Sequence, residues 1–365
     1  MAGGIGSRFW PLSTTNVPKQ FLDILGVGKT LIQLTFERMK KICPVENIYI
    51  VTNAQYETVV LQQLPELKAE QVLKEPMRKN TAPCIAYGNA VIKQRNPQAN
   101  ILVTPSDHLI LNETAFANVI NAGLKIVAEN DFLLTIGIKP SRPDTGYGYI
   151  QLGKQFDEVN NIIVNKVKTF TEKPELEMAK IFLKSGDFFW NAGIFMWSLK
   201  SIDAAFKEHL PEVATLFYDA EKDEKGNIIF AYKTERDVSD TATLNSIYAQ
   251  SPSVSIDYGV MEKSNNVYVL QSDFGWSDLG TWGALYENTS KDYAENALIG
   301  HDIMMYDSKN CVVSMPAGKI AIIEGLDGYI VVDSSDKLLI CRREDEQRIR
   351  QFVNELKMKK GEAYV

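Results

Sequence analysis

The chain has 365 residues, 45% of them hydrophobic and 23% charged, with a formal net charge of −7; this is the mix of a globular protein with two domains, or one large domain and an appendage. The acidic balance excludes a general nucleic-acid binder, which needs a basic surface, and no apolar run is long enough to span a membrane. The four cysteines, Cys43, Cys84, Cys311 and Cys341, have no CxxC spacing and no signal peptide precedes them, so they read as buried thiols in a cytoplasmic protein rather than a zinc site or a disulfide framework.

The chain opens MAGGIGSRFWPLS, with glycine at three of its first six positions. Taken alone, such a start reads equally as a flexible terminus. A dinucleotide fingerprint would need a third glycine where Phe9 stands, so a Rossmann dehydrogenase is disfavoured. Arg8 follows at once, Trp10 and Pro11 stiffen the exit, and Lys19 lies a short loop away. Bare amides with an arginine and a lysine suit a triphosphate. GVGKT at 26–30 imitates a P-loop, but Asp23 occupies the first glycine position and no strand leads in. A turn followed by a helix start is expected there.

From residue 31 to about 140 helix and strand patterns alternate. LIQLTFERMKKI reads as helix, NIYIVT as strand, AQYETVVLQQL as helix and QVLKEP as strand. TAPCIAYGNAVIKQR reads as a helix capped by Asn80 or Thr81, with Pro83 in its first turn. ILVTPSDH is a strand ending in a polar loop, FANVINAGLKIVAEN a helix and FLLTIGI a strand. This succession implies βαβ units and a mostly parallel, Rossmann-like α/β sheet with helices on both faces. Ligands of such sheets bind outside the carboxyl ends of the strands, so the tips KEPMRKN and TPSDH share the functional rim.

The stretch 141–288 crowds glycines with aromatics, as loops closing over a small ligand do. Asn191, inside FFWNAGIFMW, must find a backbone or ligand partner if half-buried. Glu172-Lys173-Pro174 reads by default as a surface turn. From about 290, short strand patterns separated by turn residues suggest a small C-terminal β-solenoid-like module with a terminal helix. The expected domains are 1–288 and 289–365. Asp107 and Asp278 are hard oxygen donors that together suit Mg²⁺ with ligand phosphates, whereas each alone reads as a turn or cap residue. His108 reads as structural. No nucleophile–base arrangement argues for covalent catalysis.

AGGIGSRFWPLS at 2–13, PKQF at 18–21, KEPMRKNTAPC at 74–84, TPSDH at 104–108, TGYGYI at 145–150, FTEKP at 170–174, WNAGIF at 190–195, SIDYGVMEK at 255–263 and WSDLGTW at 276–282 together resemble the sugar-nucleotidyltransferases. The motifs RFWPLS, PKQF and RKNTAPC point to the branch of the bacterial mannose-1-phosphate guanylyltransferases. The resemblance implies that GTP and mannose 1-phosphate give GDP-mannose and pyrophosphate, with Mg²⁺. It implies that Ala2, Gly3, Gly4, Gly6, Ser7 and Arg8 wrap the triphosphate, and that Lys19 holds the phosphates around the reacting phosphorus. Glu75, Asn80 and Thr81 would face the base. Asp107 and Asp278 would carry the metal. Gly148, Glu172, Asn191 and Asp257 would contact the sugar, and Lys173 its phosphate.

The alternatives are a relative with another base or sugar, and a non-catalytic subunit, against which the presence of Arg8, Lys19, Asp107 and Asp278 counts. Longer members of the family carry an isomerase domain, for which this chain has no room, so transferase activity alone is expected. A homodimer is expected from the sheet edges of the β module. Members also carry a short apolar strand before the glycine motif, so a version extended by that strand is expected to be more stable and more active.

Overall fold

The computed structural model describes residues 1–4, 6–159, 162–222, 228–232, 238, 240–334 and 336–365. The helices stand where the periodicity puts them. Leu31–Lys40 starts on a capping box between Thr30 and Gln33, and Thr81–Arg95 on Asn80. Glu113–Glu129 begins earlier than the apolar pattern because the Asn112 side chain accepts the N–H of Ala115. GVGKT is a turn: the Asp23 carboxylate accepts the N–H groups of Val27 and Gly28 at 3.0 and 2.6 Å, and the helix starts after it.

A six-stranded sheet forms the centre, in the order Asn100–Val103, Phe188–Ser198, Leu133–Ile138, Val267–Ser272, Ile162–Glu172, Gly148–Val159. Most strands share one direction; Phe188–Ser198 and Ile162–Glu172 run against it. The Phe188–Ser198 segment, in the stretch whose glycines and aromatics suggest loops, is a strand. It is a near-continuous apolar run buried on both faces, which lacks the alternation of a half-exposed strand. Its Ile194 and Met196 enter one core layer with Phe116, Ile120 and Leu270. Phe195 and Trp197 enter the other, with Tyr87, Phe206 and Ile247.

Ile50–Asn53 and Val72–Glu75 form a separate parallel pair. The chain start lies between this pair and the six-stranded sheet. Ala2 N–H donates to the Val51 carbonyl at 2.8 Å, and the Met1 carbonyl accepts from Ser106 N–H at 3.0 Å. Behind Met1, a cavity of about 490 Å³ runs between the two sheets, lined by residues such as Phe36, Ile50, Ile85 and Ile101.

In the C-terminal module, Ala297, Val312 and Ile330 stack in parallel register, and Ile303 stacks on Ala321 to form a second face. Lys337–Arg342 closes the first face antiparallel, and the helix Ile349–Lys360 follows. The module shares a core with the first residues of the chain: Val312, Ile330 and Ile349 pack in one cluster with Phe9, Trp282 and Leu285.

Candidate active site

The glycine motif leaves the chain start as a loop and enters a short helical turn at Ser7–Phe9; Ile5 lies outside the described residues. Ala2 is buried and its carbonyl accepts from Gln20 Nε2 and Thr52 Oγ1 at 2.9 and 2.8 Å. Gly3 lies over Glu75, whose Oε2 would be 3.6 Å from any Cβ there, and Gly4 faces open space. Gly6 has φ +71°, and a Cβ on it would lie 2.5 Å from Lys19 Cβ. That position requires glycine both for its left-handed backbone and for the approach of the lysine.

Lys19 is 3% exposed. Its ammonium donates to the Asp278 and Leu279 carbonyls at 2.7 and 3.1 Å and pairs with Asp107 Oδ2 at 2.9 Å. One cation therefore ties the TPSDH tip, the WSDLG turn and the glycine loop together. Burial alone would raise the Asp107 carboxyl, but Lys19, helped by His108 and the chain's amino terminus, holds it below its ordinary value. His108 is structural: burial pulls its imidazole down, and its Nδ1 accepts the Trp276 indole N–H at 3.1 Å.

Asp278 enters from a strained turn in which the buried Leu279 has φ +45°. Its Oδ1 accepts from Gly280 N–H at 2.9 Å and from the Tyr147 hydroxyl at 2.7 Å. Tyr147 is wedged between Trp190 and Trp276, with ring centroids 5.0 and 5.2 Å away. Burial and the charge of Asp278 push the Tyr147 phenol well above its usual value, so it remains a donor. Among the described residues no three His, Cys, Asp or Glu side chains come together as a metal cage. The donor set of Asp107 and Asp278 instead fits a hard divalent cation that takes its other ligands from phosphates and water.

A second group lies at the ends of the antiparallel strands. Gly148 stands opposite Glu172 in register, and any side chain there would collide with the Glu172 carboxylate. Asn191 Nδ2 donates to Asp257 Oδ1 at 2.9 Å, while its Oδ1 accepts from Thr135 Oγ1 at 2.9 Å. Burial, then the nearby Glu172, raises Asp257 to about 6. Lys173, at φ +49°, is exposed and pairs with Glu172. Gly148, Glu172, Lys173, Asn191 and Asp257 thus form one polar cluster.

The base-facing residues divide. Glu75 is buried and accepts from the Tyr248 hydroxyl at 3.0 Å; burial raises its carboxyl. Asn80 sits at φ +68° and caps its helix by accepting from Thr81 N–H. The Thr81 hydroxyl accepts Ile256 N–H at 2.8 Å, fastening the helix to the segment that carries Asp257.

Sequence reasoning missed Tyr147, although it lies within the TGYGYI motif at 145–150. It also missed the C-terminal wall. A cleft of about 1410 Å³ is lined by Arg8, Tyr147, Lys173 and Asp278 together with Arg343 and Arg350 of the C-terminal segment. Nothing local in the sequence signals that contribution.

Comparison with known proteins decides the family. The family model described as Nucleotidyl transferase matches residues 1–295. This chain belongs to the nucleotidyl transferase family. A MannoseP isomerase/GMP-like beta-helix domain matches residues 302–356 of the nucleotidyl transferase. Among curated relatives, a mannose-1-phosphate guanylyltransferase of Escherichia coli is 31% identical over 98% of this chain and 74% of its own length. The alginate biosynthesis protein AlgA of Pseudomonas fluorescens is 33% identical over 98% of this chain and 71% of its own. Among solved structures, a protein of Thermus thermophilus described as a mannose-1-phosphate geranyltransferase superposes with a TM-score of 0.84 at 31% identity, covering 98% of both chains. No helix among the described residues of the nucleotidyl transferase is long and apolar enough to cross a membrane.

Proposed function

We propose that this nucleotidyl transferase is a mannose-1-phosphate guanylyltransferase, moving GMP from GTP to α-D-mannose 1-phosphate with release of pyrophosphate. The single observation that carries the reading is the meeting of Asp107, the Asp278 carbonyl and the glycine loop around Lys19, close to a polar cluster suited to sugar hydroxyls. The names and sequence identities of the relatives support it.

The nucleophile in this reaction is already an anion, so no general base is required. A sugar-phosphate oxygen bonds to the α-phosphorus, the bond from that phosphorus to the bridging oxygen breaks, and its electron pair leaves with pyrophosphate. The task is to align two polyanions. In this reading the glycine loop of residues 2–8 wraps the triphosphate together with Arg8, through amides other than that of Ala2, which donates to Val51. Lys19 keeps Asp107 and the 278–279 turn in register with that loop. Glu75, Asn80 and Thr81 border the base. Asn191, Asp257, Glu172 and the bare backbone of Gly148 orient the mannose, and Lys173 meets its phosphate. Mg²⁺, held by Asp107 and Asp278, supplies charge neutralisation on the reacting phosphate when bound. We further propose a cytoplasmic homodimer joined through the β module, where Ala321–Glu324 pairs on one side only and Ile320 and Ile322 are exposed.

The test offers each nucleoside triphosphate with each common sugar 1-phosphate, with and without Mg²⁺, and follows pyrophosphate release. The expected result is Mg²⁺-dependent turnover highest for GTP with mannose 1-phosphate. Preference for another pair, or no turnover with any, overturns the proposal. Light scattering of the purified chain tests the dimer.

A further inference from the structure

The C-terminal segment is strapped across the glycine loop. Ile349 is fully buried in the core that holds Phe9 and Trp282, and the helix Ile349–Lys360 packs on the turn Ser7–Phe9. Glu346 Oε2 accepts Gly283 N–H at 2.6 Å, at the start of the helix Trp282–Asn288. Beyond the terminal helix, the Tyr364 carbonyl accepts the Trp10 indole N–H at 2.9 Å, and the Val365 carbonyl accepts Thr15 N–H at 3.2 Å. This strapping brings Arg350 to the same cleft wall as Arg8.

Among the described residues, neither arginine has an ion-pair partner, and the Arg8 Nε is buried without a hydrogen bond. The carboxylates nearest Arg350 in sequence are already engaged. Glu344 pairs with Arg342 at 3.1 Å, Asp345 with Arg348 at 3.9 Å, and Glu346 holds Gly283. Partial burial, then the nearby positive charge of Arg8, depresses the Arg350 guanidinium. Two like charges close enough to repel on one cleft wall are unfavourable for the protein alone. They suit a ligand that brings several negative charges, and guanidinium forks match phosphate oxygens in pairs.

We propose that Arg350, from the C-terminal helix, joins Arg8 to form the seat of the two terminal phosphates of the triphosphate, and so of the pyrophosphate that leaves. This rests on the nucleotidyl-transfer reading above. It makes the β module and its helix part of the nucleotide site. As the α-phosphorus bond breaks, the electron pair passes to the pyrophosphate oxygen, and Arg350 meets that added charge.

The test uses the full chain and its variants Arg350→Ala, Arg350→Lys and Arg348→Ala, the last a cation on the same segment outside the cleft. Calorimetry measures binding of pyrophosphate alone; initial rates give KM for GTP, KM for mannose 1-phosphate and product inhibition by pyrophosphate. Arg350→Ala is expected to weaken pyrophosphate binding about tenfold, the equivalent of about 1.4 kcal/mol, and to raise KM for GTP while leaving KM for mannose 1-phosphate unchanged. Arg350→Lys should recover part of the loss, Arg348→Ala should match the parent, and all melting temperatures should agree. Equal pyrophosphate affinity in the parent and Arg350→Ala overturns the inference. A parent that binds pyrophosphate through Arg350 yet transfers no nucleotide overturns the guanylyltransferase reading and leaves the phosphate seat standing.

Discussion

The Tyr147 hydroxyl donates to Asp278 Oδ1 at 2.7 Å, across a sequence separation of 131 residues. With Gly280 N–H on the same oxygen, the phenol holds the carboxylate by Oδ1 and leaves Oδ2 as the oxygen that would meet a cation in the proposed reaction. Tyr147 is therefore a positioning residue. A hydrogen bond to a charged group contributes about 1.5–3 kcal/mol, so Tyr147→Phe is expected to lower kcat/KM by about 10- to 100-fold. The loss should be accompanied by a higher Mg²⁺ concentration for half-maximal rate, since the ring packing on Trp190 and Trp276 is kept. An unchanged metal titration would remove Tyr147 from this role.

Gly6 and Gly4 belong to one motif but answer to different constraints. A Cβ at Gly6 meets Lys19 at 2.5 Å on a backbone of φ +71°, whereas at Gly4 nothing lies within 4 Å. Left-handed backbone costs an ordinary residue about 1–2 kcal/mol before any clash. Gly6→Ala should lower the melting temperature clearly and turnover with it, while Gly4→Ala should melt close to the parent. Thermal unfolding of the two variants side by side checks the contrast.

This difference marks how far the sequence could be read. The motif, its arginine and the distant Lys19 were legible because glycine and cation chemistry is local. So were the helices at 31–40 and 81–95, whose caps and periodicity agree. The central strand at 188–198 was not, because burial on both faces erases the period of two that identifies a strand. The C-terminal arginines were illegible for another reason. Arg350 reaches Arg8 only through the shared core of Ile349, Phe9 and Trp282, and such a contact leaves no spacing to detect.

Asp107 and Lys19 are expected to differ as targets even though they form one pair. Asp107→Asn should cut turnover by about 10²–10³, the usual effect of removing one preorganised charge, with the fold intact. Lys19→Ala should cut turnover too, but it also strips the ammonium from Asp107 and from two carbonyls, so its melting temperature should fall further. The Asp107 carboxyl is held below its ordinary value. Its contribution to stability is therefore present above the unfolded-state pKa of about 3.9 and is lost as pH falls through the lower folded value. Acid unfolding curves of the parent and Asp107→Asn should converge at the acid end.

Asp257 has the opposite sign. Its carboxyl is raised to about 6, so between the unfolded value of about 3.9 and that point the folded state binds the extra proton. Stability from this group falls as pH rises through that window, and the full cost of the buried charge applies above it. Asp257→Asn keeps an acceptor for Asn191 and removes the charge. The variant should melt above the parent at pH 8, and the gap should narrow steadily toward pH 4. A gap independent of pH would show that Asp257 does not titrate in this window.

The cavity behind Met1 gives the last prediction. Its flanking strands, Ile50–Asn53 and Asn100–Val103, face one another across about 490 Å³ of apolar space. Met1 and Ala2 already hydrogen-bond to the segments on both sides. An apolar, β-branched stretch placed ahead of Met1 would continue along that line, pair its backbone on both edges and fill the space with side chains. Buried apolar surface contributes about 25 cal/mol per Å², so even a few ordered residues offset a sizeable fraction of a total stability of about 5–15 kcal/mol. The extended chain is expected to melt several degrees higher. Its turnover should rise as well, because Met1 is held by Thr104 and Ser106, next to Asp107. A polar stretch of equal length should do neither. Identical melting and turnover for the apolar extension, the polar one and the chain as it stands would show that the strands tolerate the cavity, and that the glycine loop gains nothing from a strand placed behind it.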